Sequence, residues 1–475
     1  MYYFKYPYII YRNYPDYGYL TDNRNFGYDT ASKSSPKFGE RILSKTGSIF
    51  CSALTEIPRS LSDIVDDLYA FFKGALRSDL ERDAEEFFYG LAQDGFIGRI
   101  GSLDEIPTYG VFSYNVKTPF FFPKDEISFE SESSDVLWKE DYRLARVHLN
   151  VSGPCNEHCV HCYFPESYRH GMMSKTLFLS ILEQCKACNV LNITLSGGEP
   201  LLNRDLPFFI ESCRENNFSV NVLSNLTLLT DDLVSLFKRM PLLSIQTSLY
   251  SMDGVIHDSI TKVKGSFEKT KRAIELLHEH NIPLQINCPI MKQNKDTYQD
   301  VLSWAKNLNI DANSDYMLFG CFDGSASNLA CRLELSEVKT IIEKDLIQQT
   351  GKVELVNHDG AFRSESSVCP ICQNSLCISY KGDVYPCEGW QSMILGNIND
   401  IPLLQLWRDS EVVNKLRHLT LEDDFSTCAV CEDRDNCSIC LIRNANENKK
   451  GDYKEVNPYF CEIARIKRIA QTPKS

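Results

Sequence analysis

No apolar run in this chain approaches the ~20 residues that a helix needs to span a bilayer. Its first ten residues, MYYFKYPYII, are rich in tyrosine and lack both the apolar core and the small-residue cleavage site of a secretory signal. A basic excess is also missing. The 50 Lys and Arg face 64 Asp and Glu, for a net charge of −14. Phosphate backbones and anionic membrane surfaces select basic faces, so neither nucleic acid nor membrane is expected as a partner. These absences point to a cytoplasmic protein. At 475 residues, 43% hydrophobic and 24% charged, the chain has material for two or three globular domains.

What the chain does have is cysteine, nineteen in all. Without a secretion signal, metal or redox duty is expected rather than disulfides. Cys51, Cys185, Cys188, Cys213, Cys288, Cys321 and Cys331 are scattered and read as small buried hydrophobes. The other twelve fall into tight groups, a distribution that packing alone does not produce.

Residues 1–100 read as a small separate unit. Short strands are suggested over Tyr8–Tyr11 and Tyr17–Leu20, broken by Pro15, Asp16 and Gly18. A helix capped by Ser62 would carry Ile64, Val65, Leu68, Phe71 and Phe72 on one face, and a second would carry Leu80, Ala84, Phe87, Phe88 and Leu91. Gly95 stops it, and Phe96–Ile100 returns as a strand. Strands, three helices and a final strand make a winged-helix-like pattern. Residues 101–141, with Phe120, Phe121 and Phe122 followed by an acidic, Ser-rich stretch, read as a linker.

A strand/helix alternation follows over 142–325. Strand-like runs occur at Val147–Val151, Asn192–Ser196, Val220–Ser224, Leu242–Leu249, Leu284–Ile290 and Tyr316–Gly320. Amphipathic stretches such as Thr230–Met240 and Ser266–His280 separate them. Six such units predict an α/β fold, a partial (β/α)6 barrel of the TIM type, with ligands at the C-terminal strand ends. A bridging segment, 326–368, leads to a cysteine-rich region, 369–475, that shows little regular periodicity and is expected to need metal to fold.

Directly after the first barrel strand comes Cys155-Asn-Glu-His-Cys159-Val-His-Cys162. Three thiolates at this spacing can hold three corners of a cubane cluster and leave one iron open to a small molecule. The alternative is a zinc loop closed by His158 or His161. One strand later stands Gly197-Gly198-Glu199-Pro200. Two glycines let the backbone approach a ligand, and Glu199 offers a carboxylate to an ammonium group.

On these two motifs the chain resembles the radical-SAM superfamily over about Val147 to Gly320. The resemblance implies a [4Fe–4S] cluster on Cys155, Cys159 and Cys162. S-adenosyl-L-methionine would bind its open iron, with Glu199 on the amine, and be cleaved to a 5′-deoxyadenosyl radical that abstracts hydrogen from substrate. It implies cofactor contacts for Gly197, Gly198 and Pro200 as well. Ser224-Asn225 stands where the family often has a Thr-Asn pair, Ser248 ends the fourth strand within Gln246–Tyr250, and His161 takes a slot that is usually aromatic.

The remaining groups are Cys369-x2-Cys372-x4-Cys377-x9-Cys387, then Cys428-x2-Cys431-x5-Cys437-x2-Cys440, then Cys461. The Gly382 to Cys387 stretch suits a hairpin that delivers a thiolate, although paired CxxC is also zinc grammar. Beside a radical-SAM core the pattern resembles the SPASM extension. That resemblance implies two auxiliary [4Fe–4S] clusters, hence three clusters in all: one on Cys369, Cys372, Cys387 and Cys440, the other on Cys428, Cys431, Cys437 and Cys461. The last gap of the run is one residue shorter than the SPASM pattern, and Cys377 is surplus. The fourth position of the first auxiliary cluster is therefore open between Cys372, Cys377 and a substrate thiol.

The N-terminal unit resembles the leader-recognition element of enzymes that mature ribosomally made peptides, where the leader adds as a strand to a sheet edge. A DNA-binding winged helix is the alternative. Asp63, Asp66 and Asp67, then Asp79, Glu81, Asp83, Glu85 and Glu86, make a poor phosphate surface. The resemblance therefore implies a precursor peptide with a leader as substrate and a flavodoxin or ferredoxin as electron donor. The expected reaction is Cys thioether crosslinking, ahead of carbon–carbon cyclophane formation, epimerisation or sulfatase-type maturation. A non-catalytic iron–sulfur or zinc scaffold for peptides is the reading from another class.

Overall fold

Residues 1–6, 9–14, 17–22, 40–72, 74–105, 142–240, 242–349 and 368–471 are described by the structure, a computed structural model. The expected linker lies almost wholly outside them, with its aromatic and acidic stretches. So do Pro15, Asp16 and 350–367 of the bridging segment.

The chain begins with β1 (Tyr2–Lys5), followed by an antiparallel meander of β2 (Ile9–Asn13), β3 (Tyr17–Asp22) and β4 (Glu40–Ser44). Next come α1 (Lys45–Ser52), β5 (Arg59–Ser60), α2 (Leu61–Tyr69), α3 (Arg77–Gln93) and β6 (Ile97–Ile100). A second small sheet has the order β5-β1-β6. Tyr3, Phe50, Ile64, Leu68, Ala84 and Phe88 knit the helices to the strands. This is a winged-helix-like unit with a meander inserted, and three details differ from expectation. Gly18 lies inside β3, paired with Leu43, rather than breaking it. Ser60, not Ser62, caps α2, accepting from Asp63 N at 3.1 Å, because β5 holds Ser60 extended just before the first helical residue. The helix then stops at Tyr69, which leaves Phe71 exposed while Phe72 packs edge-on to Phe50.

From Arg146 the chain alternates strand and helix: β7 (Arg146–Ser152), α4 (Lys175–Ala187), β8 (Asn192–Gly197), α5 (Leu206–Glu215), β9 (Ser219–Leu223), α6 (Asp231–Arg239), β10 (Ser244–Ser248), α7 (Gly254–Thr261), α8 (Ser266–Glu279), β11 (Leu284–Pro289), α9 (Tyr298–Asn307) and β12 (Asp311–Asp315). All six strands are parallel and lie in sequence order. Period-two alternation explains the two faces. Val147, Leu149, Ile193, Leu195, Val220, Val222, Ile245 and Ile286 face the helices in one core, where Phe178 of α4 stacks on Phe209 of α5 at 4.1 Å. His148, Asn150, Thr194, Asn221, Gln246 and Gln285 take the alternate positions on the inner face, which makes a polar lumen.

The sixth strand is not where the apolar run Tyr316–Gly320 placed it. The polar segment Asp311–Asp315 forms β12, an edge strand whose backbone pairs with β11. The apolar run instead folds back as a loop, and its Leu318 joins Tyr250, Ile260, Met291 and Cys331 in a small cluster behind the rim.

After α10 (Leu335–Gln349) the cysteine-rich region rejoins the barrel. Strand β13 (Ser375–Ile378) pairs parallel with β7, and β14 (Asp383–Tyr385) and β15 (Gly396–Asn397) extend the sheet antiparallel, giving nine strands. The expected Gly382 hairpin is the β13–β14 turn. α11 (Leu403–Asp409), α12 (Glu411–Arg417), α13 (Leu441–Glu447) and α14 (Pro458–Gln471) follow. Leu376, Ile378, Val384, Trp390, Leu403, Trp407 and Leu416 are continuous with the barrel core. The region was expected to have little core. It borrows the barrel's, and at roughly 1.5–3 kcal/mol per fully buried large side chain that sharing is a major stabilising term.

The N-terminal unit packs against the opposite end of the barrel, where the parallel strands begin. Arg12 of β2 is buried and donates to Val190 O, at 2.8 and 2.6 Å, and to Asn217 O at 2.9 Å. The Asn217 side chain mimics a strand, accepting from Tyr11 N at 3.1 Å and donating to Ile9 O at 3.1 Å. Among the described residues no helix is long and apolar enough to cross a membrane.

Candidate functional site

The three cysteines of the first group lie on the loop that leaves β7. This loop has little structure of its own and is held by neighbours. Its main chain donates from His158 N and Val160 N to the carbonyls of Thr261 and Ile260, each at 2.9 Å. Those carbonyls sit at the C-terminal end of α7, where a helix has acceptors to spare. Arg169 Nη1 fixes Glu157 O at 2.7 Å. The three thiols bear on one another electrostatically. Burial raises all of them, Cys155 to about 12, so a metal that binds here must displace protons.

The Gly197–Pro200 turn packs directly on this loop. Gly198 N donates to Ser152 O at 2.7 Å, and Glu199 N donates to Pro154 O at 2.9 Å. A Cβ on Gly198 would collide with the carbonyl oxygens of Gly153 and Pro154, and one on Gly197 with that of Ser152. Only glycine permits this approach, and Gly197 also has φ +136°.

Glu199 is 1% exposed. Its Oε1 accepts from Ser224 Oγ at 2.7 Å and from Leu201 N at 2.9 Å, while Oε2 accepts from Asn225 N at 2.8 Å. Burial nevertheless pushes its carboxyl up to about 7, with the hydrogen bonds opposing. A cation beside it would hold it ionised. Asn225 Nδ2 reaches Asn156 Oδ1 at 2.9 Å and Cys155 Sγ at 3.9 Å. Glu199, Ser224 and Asn225 therefore form one hydrogen-bonded unit with the cysteine loop.

Ser248 and His161 join through Tyr250, a residue the sequence reading did not single out. Tyr250 Oη donates to Cys159 Sγ at 3.8 Å, and the Ser248 side chain bonds to the same phenol. The His161 ring lies edge-on to Tyr250 at 5.1 Å, and burial lowers its imidazole to about 4, so it is neutral. Glu157 was also missed. Its side chain lies inside the cysteine loop, Oε2 accepting from Cys159 Sγ at 3.5 Å while Oε1 has no partner, and burial lifts its carboxyl to about 7. Its place between Cys155 and Cys159 was the available signal.

In the C-terminal region Cys440 acts on both Cys369 and Cys387, and Cys369 acts on Cys372. Cys428, Cys431, Cys437 and Cys461 form a second mutual set. Cys377 joins neither. It lies within β13, opposite His148 of β7, where Asn150 Nδ2 donates to its sulfur at 3.7 Å. Among the described residues no three His, Cys, Asp or Glu side chains converge tightly enough for a single ion.

A family profile for the radical SAM superfamily matches residues 149–305, and one for an iron–sulfur cluster-binding domain, SPASM, matches residues 369–438. Residues 149–305 are a radical SAM domain. The SPASM domain follows it, as the resemblance implied. The AdoMet-dependent heme synthase of Methanosarcina barkeri is 25% identical over 332 residues, 65% of this chain and 94% of that protein. The PqqA peptide cyclase of Granulibacter bethesdensis is 24% identical over 275 residues, 55% of this chain and 73% of that one. Among solved structures, Streptococcus suis SuiB bound to its precursor peptide SuiA shares the fold at TM-score 0.58 with 15% identity. That likeness covers 97% of this chain and 100% of SuiB, so it includes the N-terminal unit.

The residues present fit an S-adenosylmethionine cluster site. Three thiols share a loop, a glycine cradle lies against it, and a buried carboxyl awaits a cation.

Proposed function

We propose that this radical SAM protein matures a ribosomally made precursor peptide and that its reaction is Cys thioether formation. One observation carries the reading. Strand β13 pairs with β7, and Tyr163, the residue after Cys162, feels Cys162, Cys377 and Cys387 together, which supports a first auxiliary set close to the Cys155–Cys162 loop. A cluster-bound S-adenosylmethionine would supply a 5′-deoxyadenosyl radical there. Cys155, Cys159 and Cys162 would hold that cluster. Glu199 would take the ammonium, with Ser224 and Asn225 orienting it, while Gly197, Gly198 and Pro200 shape the cradle and Ser248 and His161 lie alongside.

The first auxiliary cluster would take Cys369, Cys372, Cys387 and Cys440, since Cys377 stands apart from these thiols. The second would take Cys428, Cys431, Cys437 and Cys461. His148, Asn150 and Tyr163 line the lumen between these parts, and the Glu388 carboxylate acts on His148, Tyr163, Cys377 and Cys387 alike. Closing a thioether removes two hydrogens, so its proton and electron must leave, and an auxiliary cluster beside the lumen suits the electron.

The N-terminal unit favours a peptide over the small-molecule chemistry named for the heme synthase, whose match spans 65% of this chain. A leader would add to an outer sheet edge there, since SuiB, which shares the fold, is bound to its precursor peptide SuiA. A flavodoxin or ferredoxin would donate electrons in the cytoplasm.

The test uses full-length enzyme reconstituted without oxygen and given dithionite, S-adenosylmethionine and the precursor. The expected products are 5′-deoxyadenosine and a peptide lighter by two hydrogens per crosslink. If a cysteine-free core peptide undergoes the same mass change, thioether formation is wrong and a carbon–carbon crosslink takes its place.

A further inference from the structure

Arg443 is buried on α13, three residues after Cys440, and 7% exposed. Its Nη2 donates to Ser438 O at 3.2 Å, and its guanidinium lies 4.3 Å over the Phe460 ring, the residue before Cys461. Nε and Nη1 have no hydrogen-bond partner. A buried cation with two idle donors is costly, and the fork cannot shed its charge. Asp315, at the end of β12, feels this cation but makes no hydrogen bond to it.

The other groups that feel Arg443 are informative. They are Cys369, in the first auxiliary set, and Cys437, in the second. Three residues after Cys440 of the first set and stacked on Phe460, the neighbour of Cys461 in the second, the guanidinium stands between the two thiol sets. Thiolate and sulfide sulfurs are the acceptors whose arrival would satisfy it.

We propose that Arg443 is a positioning residue shared by the two auxiliary clusters, its unpartnered N–H groups donating to sulfurs of both and its charge favouring their reduced states. The inference rests on the assignment of those cysteine sets to clusters. Reduction adds one electron and one negative charge to a cluster, with no bond made or broken. A fixed cation within hydrogen-bond reach therefore raises both potentials.

The experiment is a dithionite-poised potentiometric titration read by electron paramagnetic resonance. It is run on the full chain carrying Cys155→Ala, Cys159→Ala and Cys162→Ala, so that only the auxiliary clusters respond. Iron content of two clusters in this parent establishes the assignment, and less iron refutes the assignment itself. Arg443→Met with full iron should lower the reduction equilibrium constant of each cluster about tenfold, about 59 mV for one electron. Arg443→Lys should recover part of the shift by keeping the charge. Unchanged potentials in a fully loaded Arg443→Met overturn the proposal. If that variant loses iron, Arg443→Lys decides. Full loading with potentials at or modestly below the parent's supports the cation, and loss of iron there too makes Arg443 a packing residue and overturns it.

Discussion

The two cysteine regions are built differently. Around Cys155, Cys159 and Cys162 the main chain and Glu199 are held by hydrogen bonds, although Glu157 Oε1 is left without a partner. Carbonyls of Ser152, Pro154, Ile260 and Thr261 take backbone donors, and Glu199 is fastened by three hydrogen bonds. Around the SPASM cysteines, Cys431 and Cys461 are exposed and Arg443 keeps two donors unused. Rigidity there comes instead from a seam to the barrel. Arg332 and Glu447 form a bidentate pair, 9% and 7% exposed, and Asn446 donates to Gly320 O and Gly389 O at 3.0 Å each. One site is set by main-chain geometry before any cofactor arrives. The other leaves two cysteines exposed and two buried donors of Arg443 without a partner.

The largest effect that could break this contrast comes from Cys155→Ala, Cys159→Ala and Cys162→Ala together. 5′-Deoxyadenosine should fall to background while SPASM iron is retained, as measured by chromatography and iron assay. Next, Arg332→Met leaves Glu447 short of its partner and should cost about 3 kcal/mol, read by denaturant titration of the loaded protein. Arg12→Met removes the buried donors to Val190 and Asn217 and should cost about 2–3 kcal/mol by the same titration, without changing S-adenosylmethionine affinity. Glu199→Gln cannot accept from all three of its present donors or pair with an ammonium. It should weaken S-adenosylmethionine binding roughly 10–100-fold, about 1.4–2.8 kcal/mol, by calorimetry. The smallest effect sharpens the ligand assignment. Cys377→Ser should leave iron content unchanged, whereas Cys372→Ser should lower it.

Much of this site was legible because its chemistry is written in short spacings. Cys155 to Cys162 and Gly197 to Pro200 each lie within one loop, and five of the six parallel strands were placed within a few residues. The misplaced sixth shows the limit. Asp311–Asp315 is an edge strand whose pairing is main-chain hydrogen bonding to β11, and no apolar alternation announces it. Gly18 and Ser62 were misread because the pairing of β3 and β5 fixes those positions, and pairing partners distant in sequence leave no local mark.

By itself the sequence determined which atoms are available: three closely spaced thiols, a glycine pair beside a carboxylate, and two further cysteine sets. Local spacing alone dictates such chemistry. The tertiary structure decided how they meet, laying β13 against β7, hanging the first loop on the end of α7, binding Glu199 to Ser224 and Asn225, and leaving Arg443 between the two cysteine sets. Those juxtapositions join residues far apart in the chain, so they exist only once the shared core has closed.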